Sequence, residues 1–202
     1  LKEKSYNDFS FSSYGYQKNY ETNIFESTVI NDLLITSNTK IFEGGLKYNY
    51  SGMLKNVNLD AKNSTKYKNK FDQSLMSSIM LTGEYPLKKG GEIYESNIIP
   101  KLSIMYSPNK TKNMINDDRR IDVNNVFSFN RIAANDTVEG GTSLTVGAEY
   151  KKTDKNNYNE LINLNLATVI RQKENDDLSI RSSIGKKTSD IFGSIKVKPN
   201  KN

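Results

Sequence analysis

Between Gly141 and Lys151 apolar and polar residues alternate with a period of two. Thr142, Leu144, Val146, Ala148 and Tyr150 fall on one face, and Ser143, Thr145, Gly147 and Glu149 on the other. A helix would repeat at about 3.6 residues, so the spacing predicts a strand with one apolar and one polar face. The next run repeats it, with Ile162, Leu164, Leu166, Thr168 and Ile170 outward and Asn163, Asn165, Ala167 and Val169 inward. A third strand is predicted over 178–185, where Leu178, Ile180, Ser182 and Ile184 oppose Ser179, Arg181, Ser183 and Gly185. Upstream, Phe42, Leu46, Tyr48 and Tyr50 oppose Glu43, Lys47 and Asn49, and Val57, Leu59 and Ala61 oppose Asn58, Asp60 and Lys62. Residues 75–85 and 98–106 continue the pattern.

Turn-forming clusters at 88–91, 153–157 and 174–177 separate these runs, and roughly ten strands of about 9–15 residues can be drawn as an antiparallel meander. No fixed repeat with a recurring Gly or Asn rung is present, which argues against a β-solenoid. Tyr158–Ala167 is the one stretch that offers a helix as an alternative. Aromatic residues gather near strand ends, at Phe9, Phe11, Tyr14, Tyr16, Tyr20, Tyr48, Tyr50, Tyr85, Tyr94, Tyr106, Phe127, Phe129 and Tyr150. They read either as the interfacial girdles of a membrane barrel or as ordinary strand propensity.

Composition separates a sheet from its rivals. Only 35% of the 202 residues are hydrophobic, too few to supply a soluble core of this size. Yet 12 Tyr and 8 Phe are more aromatics than a disordered chain carries. A sheet that is polar on one face and apolar on the other satisfies both facts. The expected fold is therefore all-β, an antiparallel meander forming part of a large transmembrane outer-membrane β-barrel. No apolar run is long enough for a transmembrane helix or a secretory leader. Residues 1–202 are read as an internal barrel fragment, without the closing strands.

Cysteine and histidine are absent, so thiol chemistry, imidazole bases and the usual zinc sites have no ligands or nucleophiles to use. No catalytic residue, metal site or cofactor is expected. Asp117-Asp118 reads as a solvated acidic pair, and the calcium-loop start at Asp154-Lys155-Asn156 fails at the later positions such a loop requires. Lys and Arg number 29 against 23 Asp and Glu, a net charge of +6, but they are scattered, and no nucleic-acid partner is implied.

The most specific signal is an ordered set of motifs: Tyr85-Pro86-Leu87, Ile99-Pro100, Met105-Tyr106-Ser107-Pro108, Asn116-Asp117-Asp118, Asn125 to Arg131, and Asn135-Asp136-Thr137-Val138-Glu139-Gly140-Gly141-Thr142. In this order and spacing the chain resembles the LptD family of lipopolysaccharide-assembly proteins, from about Gly44 to Tyr150. The resemblance implies a barrel in the Gram-negative outer membrane. Its partners would be lipopolysaccharide, outer-membrane lipids, an LptE-type lipoprotein plug and an LptA-type periplasmic bridge. It implies transport rather than catalysis, with an N-terminal jellyroll lying outside this fragment. A passive porin or nutrient-receptor barrel is the alternative.

Several positions carry their own physical expectations. Pro86 and Pro108 suit strand ends because proline cannot donate to a ladder, and Pro100 marks a strand start or a bulge. Gly140-Gly141 can supply a positive-φ turn or a close backbone approach. Arg131 lies near Asp136 and Glu139 in sequence, and a charge-assisted contact with one of them would clasp the intervening loop to the wall. Glu43, Lys47, Asp60, Lys62, Glu149, Asn163, Asn165 and Arg181 are expected on the hydrophilic inner face.

Overall fold

The computed structural model describes residues 6–20, 23–65 and 67–198. Ten strands form one antiparallel sheet: β1 (Asn7–Tyr20), β2 (Ile24–Ser37), β3 (Lys40–Ile41), β4 (Lys47–Lys62), β5 (Asp72–Glu84), β6 (Leu87–Gly90), β7 (Tyr94–Ser107), β8 (Gly141–Asp154), β9 (Glu160–Arg171) and β10 (Phe192–Val197). The order is β1-β2-β4-β5-β7-β8-β9-β10, with β3 beside β4 and β6 beside β7. This is the expected meander, and the sheet is open, with β1 and β10 at its edges. The helix alternative fails, since Glu160–Arg171 is a strand paired with β8.

Period-two patterning gives the two faces different surroundings. Phe9, Phe11, Leu54, Ile79, Leu81, Leu102, Ile104, Val146, Leu166 and Ile170 stand exposed on the outer face, and neighbouring strands hold them in rows such as Leu81–Ile104–Leu144–Ile170. On β7 the outward apolar stretch from Ile98 to Tyr106 is long enough to cross a lipid layer about 25 Å tall. The belt has polar and aromatic margins. At one limit Ser13 donates to Asn31 (2.7 Å), and Asn31 (3.2 Å) and Asn58 (2.6 Å) donate to Asn56. At the other, Phe42 stacks on Tyr48 with ring centroids 4.8 Å apart, and Lys40 and Lys152 lie over the rings of Tyr50 and Tyr94.

The inner face is covered by the chain itself. Residues 108–140, between β7 and β8, form no regular strand and lie against the sheet. Met114, Ile121, Val126, Ile132 and Ala134 pack with Ala167 and Val169 of β9, and Val138 packs with Ile30, Val57, Leu59 and Met76. A chain only 35% hydrophobic thus obtains a core by folding one connection onto the polar side of its own sheet.

That insertion accounts for the departures from the alternation. On β4 the face bearing Val57, Leu59 and Ala61 is the covered one, so Asp60 and Lys62 point outward, beyond the polar margin. Residues 178–185 form turns and a short 3-10 turn (Ser183–Gly185) instead of a strand. Leu178 and Ile184 dip into the inserted core, while Ile180 N–H donates to the Ile115 carbonyl, so the segment pairs with the insertion and not with the sheet. Glu43 lies in the turn after β3, which Gly44 and Gly45 close at positive φ. Phe127 and Phe129 lie in the insertion, away from any strand end. Tyr14 and Tyr16 face inward, against Asn135 and Tyr67, and belong to no outer girdle.

Pro86, Pro100 and Pro108 sit where a missing donor costs least. Pro86 separates β5 from β6 without shifting the register, because Glu84 opposes Lys101 and Leu87 opposes Ile98. Pro108 follows the end of β7. Pro100 lies inside β7, paired with Ala148 in an unshifted ladder, so neither a strand start nor a bulge is present there. Tyr85 N–H donates to the Pro100 carbonyl at 3.1 Å. The reciprocal bond that Pro100 cannot make falls in the break between β5 and β6, where the ladder is already interrupted.

Candidate functional site

Where the insertion re-enters the sheet, the chain buries three charges. Arg131 forms a two-pronged contact with Glu139, from Nε to Oε2 at 2.7 Å and from Nη2 to Oε1 at 2.5 Å. Its remaining donors reach Thr145 Oγ1 (2.7 Å), Ser143 Oγ (2.9 Å) and the Val126 carbonyl (3.1 Å). Arg171, at the end of β9, adds a second guanidinium to Glu139 Oε1 at 2.5 Å and donates to the Gly140 carbonyl. All three side chains are almost fully buried. Burial alone would raise the Glu139 carboxyl, but the Arg131 and Arg171 guanidiniums outweigh it and hold it below its ordinary range.

The strand pleat explains this meeting. Ser143, Thr145 and Arg171 all project from the inner face of β8 and β9, with Ser143 directly opposite Arg171. The carboxylate comes from the insertion, so the clasp joins the loop to two strands at once. Asp136, the other carboxylate near Arg131 in sequence, is instead an acceptor for Tyr67 Oη at 3.3 Å. Gly141 has a φ of 86°, and a Cβ on Gly140 would lie 2.2 Å from the Asn109 carbonyl oxygen. Gly140→Ala is therefore expected to displace the 109–111 backbone and cut the yield of folded protein severalfold, read as the fraction of refolded protein that keeps heat-modifiable electrophoretic migration.

A second anchor holds the same part of the insertion, between Arg131 and Glu139, from the side of β4. Lys55, on the inner face of β4 and 2% exposed, donates to both carboxylate oxygens of Asp32 at 2.7 Å and to the Asn135 carbonyl at 2.8 Å. Tyr14 Oη donates to the same carbonyl at 3.3 Å. Lys55→Met should cost about 1–3 kcal/mol, because Asp32 and a backbone acceptor lose their buried donor; urea unfolding of the refolded full-length protein measures it.

Sequence reasoning missed Lys55 and Arg171, although a signal was present. Both occupy odd positions among apolar residues, Lys55 beside Val57 and Leu59 and Arg171 after Ala167 and Val169, where an unpaired charge would be prohibitive. Away from the insertion the inner face is polar and paired. Lys47 opposes Glu84 (3.8 Å), and Glu149 binds Lys101 (3.1 Å) and Lys151 (2.6 Å). Arg181 does not join this wall: it lies in the 172–191 connection, mostly exposed, 3.8 Å from Asp118.

No curated protein matches the sequence. The family model described as LPS transport system D matches residues 38–202, a span that takes in the Arg131–Glu139–Arg171 clasp, Lys55, the insertion and the outer belt from β3 onward, while Asp32 and Tyr14 precede it. The chain belongs to the LptD family.

Proposed function

We propose that this chain is a section of barrel wall in the Gram-negative outer membrane and that the complete protein delivers lipopolysaccharide to the outer leaflet. The observation that carries the reading is the pairing of opposite faces: a predominantly apolar belt outside, and an ion-paired polar surface inside that is partly closed by the clasped 108–140 segment. Family membership supports lipopolysaccharide as the substrate of such a wall. The role is transport and needs no catalytic group. An LptE-type plug inside the barrel and an LptA-type bridge below it are the partners that the role calls for. Depleting the full-length gene should stop newly made lipopolysaccharide from reaching the cell surface. Normal delivery with lost solute uptake would replace this reading by a porin.

The sheet also supports an orientation. The two longest connections, 108–140 and 172–191, leave one end of the strands together with 63–71 and the short β1–β2 connection, and those at 42–46, 91–93 and 155–159 leave the other. Outer-membrane barrels place long loops outside and short turns in the periplasm. In intact cells, Asp176→Cys should react with a membrane-impermeant maleimide and Asn157→Cys should not; both side chains are exposed. The reverse labelling would invert the assignment.

A further inference from the structure

A cavity of about 190 Å³ lies between the inner face of β1 and β2 and the inserted segment, lined by Tyr14, Tyr16, Thr28, Tyr67, Arg119 and Asp136. It lies apart from the Arg131–Glu139–Arg171 clasp. Thr28 is 2% exposed, yet its hydroxyl has no hydrogen-bond partner, and Arg119 Nε makes no hydrogen bond, its ion-pair partner Asp117 standing 3.7 Å away. A buried hydroxyl left unsatisfied at a cavity is costly to folding unless something occupies it.

The lining selects the occupant by chemistry. Tyrosine rings offer flat apolar faces with a polar tip, and Tyr16 and Tyr67 are joined through their hydroxyls at 3.4 Å, with Tyr67 passing on to Asp136. Burial, with help from the Tyr16 hydrogen bond and the Asp136 charge, pushes the Tyr67 hydroxyl well above the ordinary phenol range, so it remains a neutral donor. Arg119 supplies planar donors and Asp136 a two-oxygen acceptor. Arg119 is countered by Asp117 at 3.7 Å and by the Asp136 carboxylate that lines the same cavity, and Asp32 beside Tyr14 is neutralised by Lys55. A phosphate would find no net positive charge here. A ring carrying apolar C–H faces and several neutral hydroxyls finds stacking surface, donors and acceptors together.

We propose that this cavity is a saccharide subsite that takes one pyranose ring, and, resting on the transport reading, that the ring belongs to the sugar portion of the passing glycolipid. Thr28 and Arg119 hydrogen-bond its hydroxyls, and Tyr16 packs on its face.

The test uses purified full-length protein in detergent and saturation-transfer NMR with two probes: lipid-free core oligosaccharide released from the host's lipopolysaccharide, and maltohexaose as a free sugar. The core oligosaccharide should give transfer, with the apparent Kd rising about tenfold in Arg119→Gln and severalfold in the near-isosteric Thr28→Val. Thr28 Oγ1 and Arg119 Nε make no hydrogen bond in the fold, so both variants should assemble, as heat-modifiable migration will report. Transfer from the core oligosaccharide alone identifies the glycolipid as the source, and equal transfer from maltohexaose identifies free sugars; either supports the subsite. No transfer from either probe, or equal affinity in both variants, overturns it. If sugar binding fails while depletion still blocks surface delivery, the subsite falls and the transport reading stands. Binding with normal delivery after depletion has the opposite meaning.

Discussion

Glu139→Gln is expected to be the most damaging single substitution, lowering stability by about 3–5 kcal/mol and sharply reducing assembled barrel. The change is nearly isosteric, so packing survives and only charge is lost. Arg131 and Arg171 both bond Glu139 Oε1 at 2.5 Å; without the carboxylate two buried guanidiniums face each other uncompensated. Arg131→Ala removes one partner of the same contact and strands less charge, since Arg171 still faces Glu139, so it should be milder. Urea unfolding of the refolded protein measures both, and equal, small effects would show that the contact is not held as described. The pH dependence has a definite sign. The folded-state pKa of Glu139 is lowered, so its stabilisation is fully present above the unfolded value of about 4.3. It is lost only as pH falls through the lower folded value. Wild-type protein should lose stability below that range, and Glu139→Gln should lack this component of the acid loss.

The second large effect concerns the other face. Ile104→Lys should cost about 2–4 kcal/mol in a bilayer, the range for a cation on the lipid side of a barrel near the midplane. Ile104 is exposed, lies between Leu81 and Leu144, and has Leu102 and Tyr106 along the same face of its strand. Asn165→Lys, on the inner face of β9 where Glu149 is its paired neighbour, should change stability by well under 1 kcal/mol, in keeping with a wet face. Folding into lipid vesicles followed by urea titration separates the two. If both lysines behave alike, the outer belt does not meet lipid.

How far the sequence could be read follows from the range of each interaction. The strands β8 and β9 were legible almost residue by residue, because a pleat places alternate residues on opposite faces whatever the rest of the molecule does. The same logic failed over 178–185, where an equally regular alternation folds into turns. There the alternation was real, but its apolar residues are buried by the 108–140 insertion, a partner that local spacing does not reveal. On β4 the pattern was assigned to the wrong side for a related reason: Val57, Leu59 and Ala61 were as apolar as lipid-facing residues, and only the position of Val138 tells an inserted core from a membrane. The clasp was half legible. Arg131 and Glu139 are close in the chain, but nothing nearby chooses Glu139 over Asp136, and Arg171 is far away in sequence.

The amino-acid sequence by itself determined the strands, their two-faced character, the turns that order them as a meander, and the motif series that marks the family. These depend on neighbours within a few residues, through backbone geometry and side-chain alternation. Tertiary structure alone decided which face is covered, that one long connection folds back to supply the core, and which charges are buried together. Those outcomes depend on burial and electrostatics between segments distant in the chain, as when Lys55 meets Asn135 and Arg171 meets Glu139. There a charge is tolerable only because its partner arrives from elsewhere.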